Sequence, residues 1–301
     1  MRIRRFASET VVRGGSVSSP RRPAPAARDV HFSVLEASDE RLRVPSIVGC
    51  HTAFIELSVV LERGQMGLAD DTKSGVDGVL KEAWEITIGS VVPETDDVTL
   101  KNGGRRVDAT YLYADLAGSS KLAQTVKDEI VAKVIRSYLN AAARILKHHG
   151  GAIRSYDGDR VMAVFIGSSK NSSAAIAAFN LNWAVQKVIR GKLDTKWPQS
   201  LANYTMHHGV GIATGEALIV RAGVRNNNDL VSIGSAPNVA AKLSELRRTP
   251  DIYITSGVYD MLNGKAKLRN DGVSTIWSRQ PNESVGGSPM GVYATDYWRE
   301  P

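Results

Sequence analysis

His149-Gly-Gly-Ala-Ile-Arg-Ser-Tyr-Asp157-Gly158-Asp159-Arg-Val-Met-Ala-Val-Phe165 decides how the rest of this chain is read. Two β runs, Ala152 to Tyr156 and Arg160 to Ile166, flank an Asp-Gly pair, the residues that a tight hairpin turn with positive φ accepts most easily. Asp159 then stands at a hairpin tip, beside a neighbouring strand end. Upstream, Gly150-Gly151 closes a helix predicted from about Ser119 to His149, with Val126, Ile130, Val134, Ile135, Tyr138, Leu139, Ala142 and Leu146 as its buried stripe. Before that helix, Val107 to Ala114 reads as a strand that ends at Asp115. Downstream, a second helix spans roughly Ser173 to Arg190. His208 to Gly215, Glu216 to Ala222 and Leu230 to Ile233 read as strands. Gly234 to Pro237 then turns into a helix from about Asn238 to Arg248, and Asp251 to Thr255 and Gly291 to Tyr297 supply late strands. This β-α-β-β-α-β order predicts an α+β sandwich of the ferredoxin-like kind, with helices on one side of a mostly antiparallel sheet.

Two aspartates in this frame carry the chemistry. Asp115 ends the run Tyr111-Leu112-Tyr113-Ala114 and precedes Leu-Ala-Gly-Ser-Ser. A carboxylate at a strand end, followed by a small Gly-containing turn into a helix, lets a hard cation and a phosphate meet. The turn's N–H groups are still unpaired at the helix start, and they can hold phosphate oxygens while the carboxylate holds the metal. Asp159 can complete that metal site from the hairpin tip. The competing reading makes Asp115 a helix cap and Asp159 an ordinary turn residue.

At 301 residues the chain is long enough for one large domain or two small ones without covalent staples. Its single cysteine, Cys50, excludes an intramolecular disulfide framework and fits a reducing compartment. No stretch approaches the run of about 18 apolar residues that spans a bilayer, so a membrane location is not expected. The net charge of +7 is unevenly placed: residues 1–65 hold 10 Lys and Arg against 7 Asp and Glu, leaving an ordinary balance elsewhere that equally suits a polyanionic small substrate.

From Met1 to about Arg28 the composition is rich in Arg, Ser, Pro and Gly and reads as a flexible tail. It also has the basic, Ser-containing character of an organellar transit peptide. Met66 starts the first periodic segment, so residues 1–65 are equally read as an upstream extension of the reading frame. Residues 66–104 form an N-terminal helix, expected from Ser74 to about Val91, and an aperiodic linker from Val92 to Arg106 that leads into a main domain over 105–301.

Four motifs then line up in order, and together they resemble the catalytic domain of class III nucleotide cyclases. Tyr-Leu-Tyr-Ala-Asp115-Leu-Ala-Gly-Ser-Ser is similar to the first metal motif of that family, and His149 to Phe165 to the second. His208-Gly-Val-Gly-Ile-Ala-Thr-Gly215-Glu216 and Ile233-Gly234-Ser-Ala-Pro-Asn238-Val-Ala-Ala-Lys242-Leu resemble the third and fourth. The resemblance covers about residues 105–265. It implies that the ribose 3′ oxygen attacks the α-phosphate and expels diphosphate, with two cations per site. Asp115 and Asp159 would bind both cations, and the Leu116 carbonyl would add an oxygen ligand. Ala117, Gly118, Ser119 and Ser120 would hold the β- and γ-phosphates through their N–H groups. Asn238 would orient the ribose, and Lys242 would stabilise the phosphoryl charge. In this family these halves face each other across a dimer interface, which implies a homodimer with two sites.

The chain departs from the purine-specific pattern at two places. A Lys four residues before the second metal Asp and an Asp eleven residues before the catalytic Arg read adenine in purine cyclases; Ser155 and Val231 stand there. Recognition built on hydrogen bonds collapses when its donors are gone, so the purine-reading pair is absent. Lys242 replaces the Arg of the family, keeping the charge and losing the bidentate fork. These departures look like the bacterial pyrimidine cyclases of the Pycsar antiphage systems. That likeness implies a cytoplasmic enzyme that makes cyclic UMP from UTP, with cyclic CMP from CTP less favoured, using Mn2+ or Mg2+ and signalling to a separate effector. Two other readings stay open: an adenylate cyclase with a divergent pocket, and an inactive nucleotide-binding homologue. Nucleic acid is not an expected partner, because only the Arg-rich tail favours it. Arg154 and Arg160 flank the hairpin as base or phosphate contacts or as solvated charges, and Tyr156 is either packing or a stacking face. His148 and His149 suit a helix end, and His207 and His208 lack ligand spacing.

Overall fold

The computed structural model describes residues 67–246, 249–281, 283–285 and 288–301. The expected tail over 1–65 and the expected helix end at Arg248 lie outside the described residues. Met66–Pro301 forms one compact unit.

The chain opens with α1 (Leu68–Lys81), β1 (Glu85–Ile88), a single 3-10 turn at Thr95–Asp97 and β2 (Gly103–Ala117). The helix expected from Ser74 to Val91 is therefore corrected: it starts earlier and ends at Lys81. Trp84 to Ile88 holds β-branched residues that prefer an extended backbone, and Glu85–Ile88 pairs in parallel with Gly103 to Arg106. That pairing also draws the expected linker into β2, four residues before Val107. Helix α1 buries none of its residues, and Leu68, Val76, Val79 and Leu80 are exposed.

The long helix expected from Ser119 to His149 is two helices, α2 (Ser119–Thr125) and α3 (Asp128–His148). The break lies at Val126, whose backbone is extended (φ −125°, ψ 149°) and whose side chain packs on the core. No Gly or Pro announces it. The hairpin forms as expected, from β3 (Ala152–Asp157) and β4 (Arg160–Phe165), with Gly158 at φ 60°. Next come α4 (Lys170–Trp183), wider π-type turns over Ala184–Ile189, and α5 (Arg190–Lys196). The two strands expected at His208–Gly215 and Glu216–Ala222 are one continuous β5 (His207–Val224), which pairs with β6 (Asn227–Ile233). Helix α6 (Ser235–Ser244) precedes β7 (Ile252–Thr255), α7 (Ser256–Asp260) and α8 (Gly264–Lys267). The short strands β8 (Ser278–Arg279), β9 (Glu283–Val285) and β10 (Ser288–Met290) then lead to β11 (Val292–Thr295).

The main sheet runs β3-β4-β2-β5-β7-β11-β8, and its first four strands have the ferredoxin-like order. Side chains alternate between its two faces. On one face, Leu112, Ala114, Leu116, Val210 and Ile212 join a core with α3 and α4. On the other, Tyr111, Met162, Val164 and Ala213 pack against Ala236, Val239, Ala240 and Leu243 of α6. Helices thus cover both faces, which corrects the one-sided expectation. Helix α6 lies directly on β5, and the sequence allows this at two glycines: a Cβ on Gly209 would strike the Ser244 carbonyl, and one on Gly211 the Ala240 carbonyl.

Candidate active site

Register brings the two aspartates together. Asp115 lies opposite Arg160 on β4 and opposite Gly209 on β5, and Asp159 immediately precedes Arg160 in the hairpin turn. Asp115 is 1% exposed and sits under the C-terminal end of α6, because Gly209 is where that helix touches the sheet. A buried carboxylate needs countercharge. Arg160 provides it: one terminal guanidinium nitrogen donates to Asp115 Oδ2 at 3.1 Å and to Glu245 Oε1 at 3.0 Å. Burial alone would lower the pKa of Arg160; the bonds to Asp115 and Glu245 hold it above its ordinary value.

Asp159 is treated differently. Its Oδ2 is buried and has no hydrogen-bond partner among the described residues. Desolvating a carboxylate oxygen without a partner costs several kcal/mol on the order of a lost charged hydrogen bond. Such an acceptor fits a cation ligand. Among the described residues no three His, Cys, Asp or Glu side chains converge as a protein cage. Two carboxylates, with backbone oxygen, instead suit a hard divalent ion that keeps positions for phosphate oxygens.

After Leu116, whose side chain is in the core, Ala117 ends β2 and Gly118 turns the chain with φ 75° and ψ 13°. That left-handed backbone is one that glycine accepts without strain. Ser119 and Ser120 begin α2, and the Gly118 carbonyl accepts from Leu122 N–H at 3.0 Å. The ring of Tyr204 closes over this turn, its hydroxyl donating to the Ala117 carbonyl at 3.5 Å. A cavity of about 380 Å³ opens beside the turn, with Gly118, Lys121, Tyr204, His207 and Asp251 among its walls.

A buried polar group supports the carboxylates from the α3 side. His208 lies opposite Leu116 in the ladder. Its ring stands edge-on to Tyr138 and makes 3.3 Å hydrogen bonds with the Tyr138 hydroxyl and Asn182 Oδ1. Burial, with the charges of Arg190 and His207, pushes the His208 pKa down to about 3. Burial first, and then the charge of Asp159, pushes the Tyr204 hydroxyl up to about 12. Tyr138 is likewise raised by burial and then by Asp115 and Asp159, which places this phenol within electrostatic reach of both carboxylates.

Asn238 and Lys242 occupy one face of α6, four residues apart, and both are exposed. The four residues expected to form a base pocket are not brought together within one chain. Ser155 lies opposite Met162, on the α6 face. Tyr156 lies opposite Val161, on the other face, and lines a shallow groove with Ile135 and Leu139 of α3. Arg154 donates to the Pro93 carbonyl and to Glu94 Oε2 at 2.9 Å, which ties it to the segment before β2. Val231 is on β6 opposite Val220, with β4, β2 and β5 between it and β3. Sequence reasoning missed Tyr204 and Glu245 altogether, and it left Arg160 between a ligand contact and a solvated charge. The signal for Arg160 was available: the ladder that joins the two motifs puts it opposite Asp115.

Comparison with known proteins gives the context. No family model matches the chain. A uridylate cyclase of Rhodovulum sp. (strain MB263) is 41% identical over 238 residues, covering 78% of this chain and 99% of that protein. A uridylate cyclase of Xanthomonas perforans is 40% identical over 236 residues, with 78% and 99% covered. One of Burkholderia cepacia is 41% identical over 224 residues, with 73% and 95% covered. Among solved structures, the guanylyl cyclase Cya2 superposes with a TM-score of 0.56 at 20% identity, over 66% of this chain and 96% of that one. A bacterial light-regulated adenylyl cyclase gives 0.56 at 20% identity; its match covers 67% of this chain and only 54% of that longer one. These structural likenesses concern the fold.

Proposed function

The chain belongs to the uridylate cyclases, and from that premise we propose that it closes UTP to 3′,5′-cyclic UMP and diphosphate. The observation that carries the chemistry is the pair Asp115 and Asp159, one carboxylate buried against a guanidinium and the other holding a buried oxygen without a partner. Asp115 and Asp159, with the Leu116 carbonyl, hold two divalent ions, Mn2+ or Mg2+. When bound, these ions favour the ribose 3′ alkoxide and neutralise the triphosphate.

The chain's own groups do the rest. The N–H groups of Ala117 to Ser120, in the turn at Gly118, hold the β- and γ-phosphates, and Tyr204 keeps that turn in place. Asn238 orients the ribose, and the Lys242 ammonium meets the charge that develops on the phosphoryl group. Both project from the exposed side of α6, so they serve the carboxylates of a second chain, and two sites form across a homodimer. Ser155 and Val231, which stand where purine cyclases carry Lys and Asp, leave no purine-reading pair, and that absence favours the pyrimidine.

Residues 105–301 are the catalytic unit and 66–104 precede it; the buried members of the two core clusters begin at Val107 and Leu112, whereas α1 buries nothing. Among the described residues no helix is long and apolar enough to cross a membrane, and the reading places the enzyme in the cytoplasm. There it produces cyclic UMP as an antiphage signal for a separate effector. Purified full-length protein with Mn2+, offered each of the four ribonucleoside triphosphates, should convert UTP fastest. Fastest use of ATP would overturn the pyrimidine reading, and four unreacted nucleotides would overturn the cyclase reading.

A further inference from the structure

Arg160 holds Asp115 and Glu245 through a single nitrogen, at 3.1 and 3.0 Å. Its side chain is 21% exposed, and that of Asp115 only 1%. Glu245 is the C-cap of α6 and half-exposed, at 50%. A carboxylate at the negative end of a helix is poorly placed unless a cation faces it. Two acids therefore draw on one guanidinium, while the neighbouring Asp159 keeps a buried oxygen that no described residue satisfies.

We infer that Arg160 is a positioning residue that competes with a divalent cation for Asp115, and that Glu245 receives its guanidinium when the cation binds. The inference rests on the reading of Asp115 and Asp159 as metal ligands. Geometry accounts for the direction: Asp115 and Glu245 share one guanidinium nitrogen of Arg160, at 3.1 and 3.0 Å, so a cation that takes Asp115 leaves Arg160 an acid it already touches. A divalent ion shared by Asp115 and Asp159 satisfies both, including the oxygen left bare. Arg160 satisfies only Asp115. Glu245 is exposed enough to hold the displaced guanidinium at little desolvation cost, because it already does so at 3.0 Å. Loading is thus graded by the balance between two carboxylates for one arginine, without any change of fold.

The two partners predict opposite shifts. Direct titration of the full chain with Mn2+ in the absence of nucleotide, followed by the spin-resonance signal of free Mn2+, reads the affinity independently of turnover. Arg160→Met removes the competitor and should tighten Mn2+ binding about tenfold, the equivalent of one charge-assisted hydrogen bond. Glu245→Gln leaves Asp115 as the only acid on Arg160 and should weaken it about threefold. Arg160→Lys, with a compact ammonium that reaches two acids less well, should fall between Arg160→Met and the wild type. A purely structural ion pair would weaken Mn2+ binding in both Arg160→Met and Glu245→Gln. That pattern, or equal affinity in all four proteins, or no binding by any of them, overturns the inference. Should Arg160→Met lose its melting transition, Arg160→Lys decides: Mn2+ binding tighter than in the wild type supports the inference, and weaker or equal binding overturns it. Turnover of UTP by the wild type is scored separately, so an active enzyme with unshifted Mn2+ affinities refutes the tether and leaves the cyclase reading standing.

Discussion

The two halves of the site are built by opposite rules. The carboxylate half is buried and supplied with countercharge from its own chain: Asp115 lies under the end of α6 with Arg160 on it, and His208, Tyr138 and Asn182 close the space beneath. The α6 half is open. Asn238 and Lys242 face solvent, and among the described residues neither side chain has a hydrogen bond or an ion pair. A buried carboxylate oxygen without a partner among the described residues, as on Asp159, raises the free energy of the fold, and a bound cation would relieve it. An exposed Asn and Lys strain nothing, and they acquire a task only when another surface is brought to them. On the proposed reading, one half would be completed by an ion and the other by a second chain.

The largest effect expected from this contrast falls on the buried half. Asp115→Asn and Asp159→Asn keep the size and the hydrogen-bonding capacity of the side chain and remove the charge that holds a cation. Each should lower the UTP turnover number by about a thousandfold or more, as losses of principal electrostatic groups do. The Asp159 change should also stabilise the metal-free protein, since a buried oxygen without a partner is relieved of its charge. A thermal melt that drops for Asp159→Asn would show that the carboxylate is held by contacts within the chain.

A mixing experiment sharpens the contrast itself. Asp115→Ala and Asn238→Ala are each expected to be inactive as pure homodimers. Mixed in equal amounts and allowed to exchange, they should recover about a quarter of wild-type turnover, because half of the dimers pair unlike chains and each such dimer holds one intact site. No recovery, with exchange verified by mass spectrometry, would place both halves of a site in one chain.

The support beneath the carboxylates titrates. His208 is fully buried with a pKa pushed down to about 3, against about 6.5 in the unfolded chain. Between those values the unfolded state takes up a proton that the folded state refuses. The contribution is complete above about pH 6.5 and is lost as the pH falls towards 3, at about 1.4 kcal/mol per pH unit. Denaturant unfolding at pH 7, 6, 5 and 4 should show this slope, and His208→Gln should reduce it by one proton. An identical slope in the variant would mean that some other group carries the acid sensitivity.

How much of this was legible in the sequence follows the same division. The hairpin and its Asp-Gly turn were readable because the signal is local and steric: Gly158 takes φ 60° where few other residues would. The proximity of Asp115 and Asp159 was readable because one lies near a strand end and the other in the hairpin turn of the strand beside it. What the sequence concealed depended on partners distant along the chain. Val126 breaks a helix with no Gly or Pro, through its own burial in the core. Glu85–Ile88 is a strand because Gly103 to Arg106 pairs with it, and helical spacing misled where β-branched residues were decisive. Gly209 and Gly211 read only as part of a strand from His208 to Gly215, yet their role is to let α6 lie on the sheet. Tyr204 and Glu245 join the site only through tertiary packing, and no motif spacing points to them.

The smallest effect concerns the open half. Lys242 stands where purine cyclases carry arginine, and a lysine ammonium offers a point charge in place of a planar fork. On a buried surface the exchange would disturb packing. On α6 it should not, because Lys242 is exposed and Leu243 and Val239, rather than Lys242, seat the helix on β5. Lys242→Arg should therefore leave the melting temperature unchanged. It should raise the turnover number about threefold if the residue meets phosphoryl oxygens, since a second hydrogen bond to a charged acceptor is gained in the transition state. A change confined to KM would mean that position 242 holds the ground-state triphosphate. A fall in turnover with an unchanged fold would mean that the shorter ammonium is fitted to the distance set by the second chain, which would make the open half as specific in its geometry as the buried one.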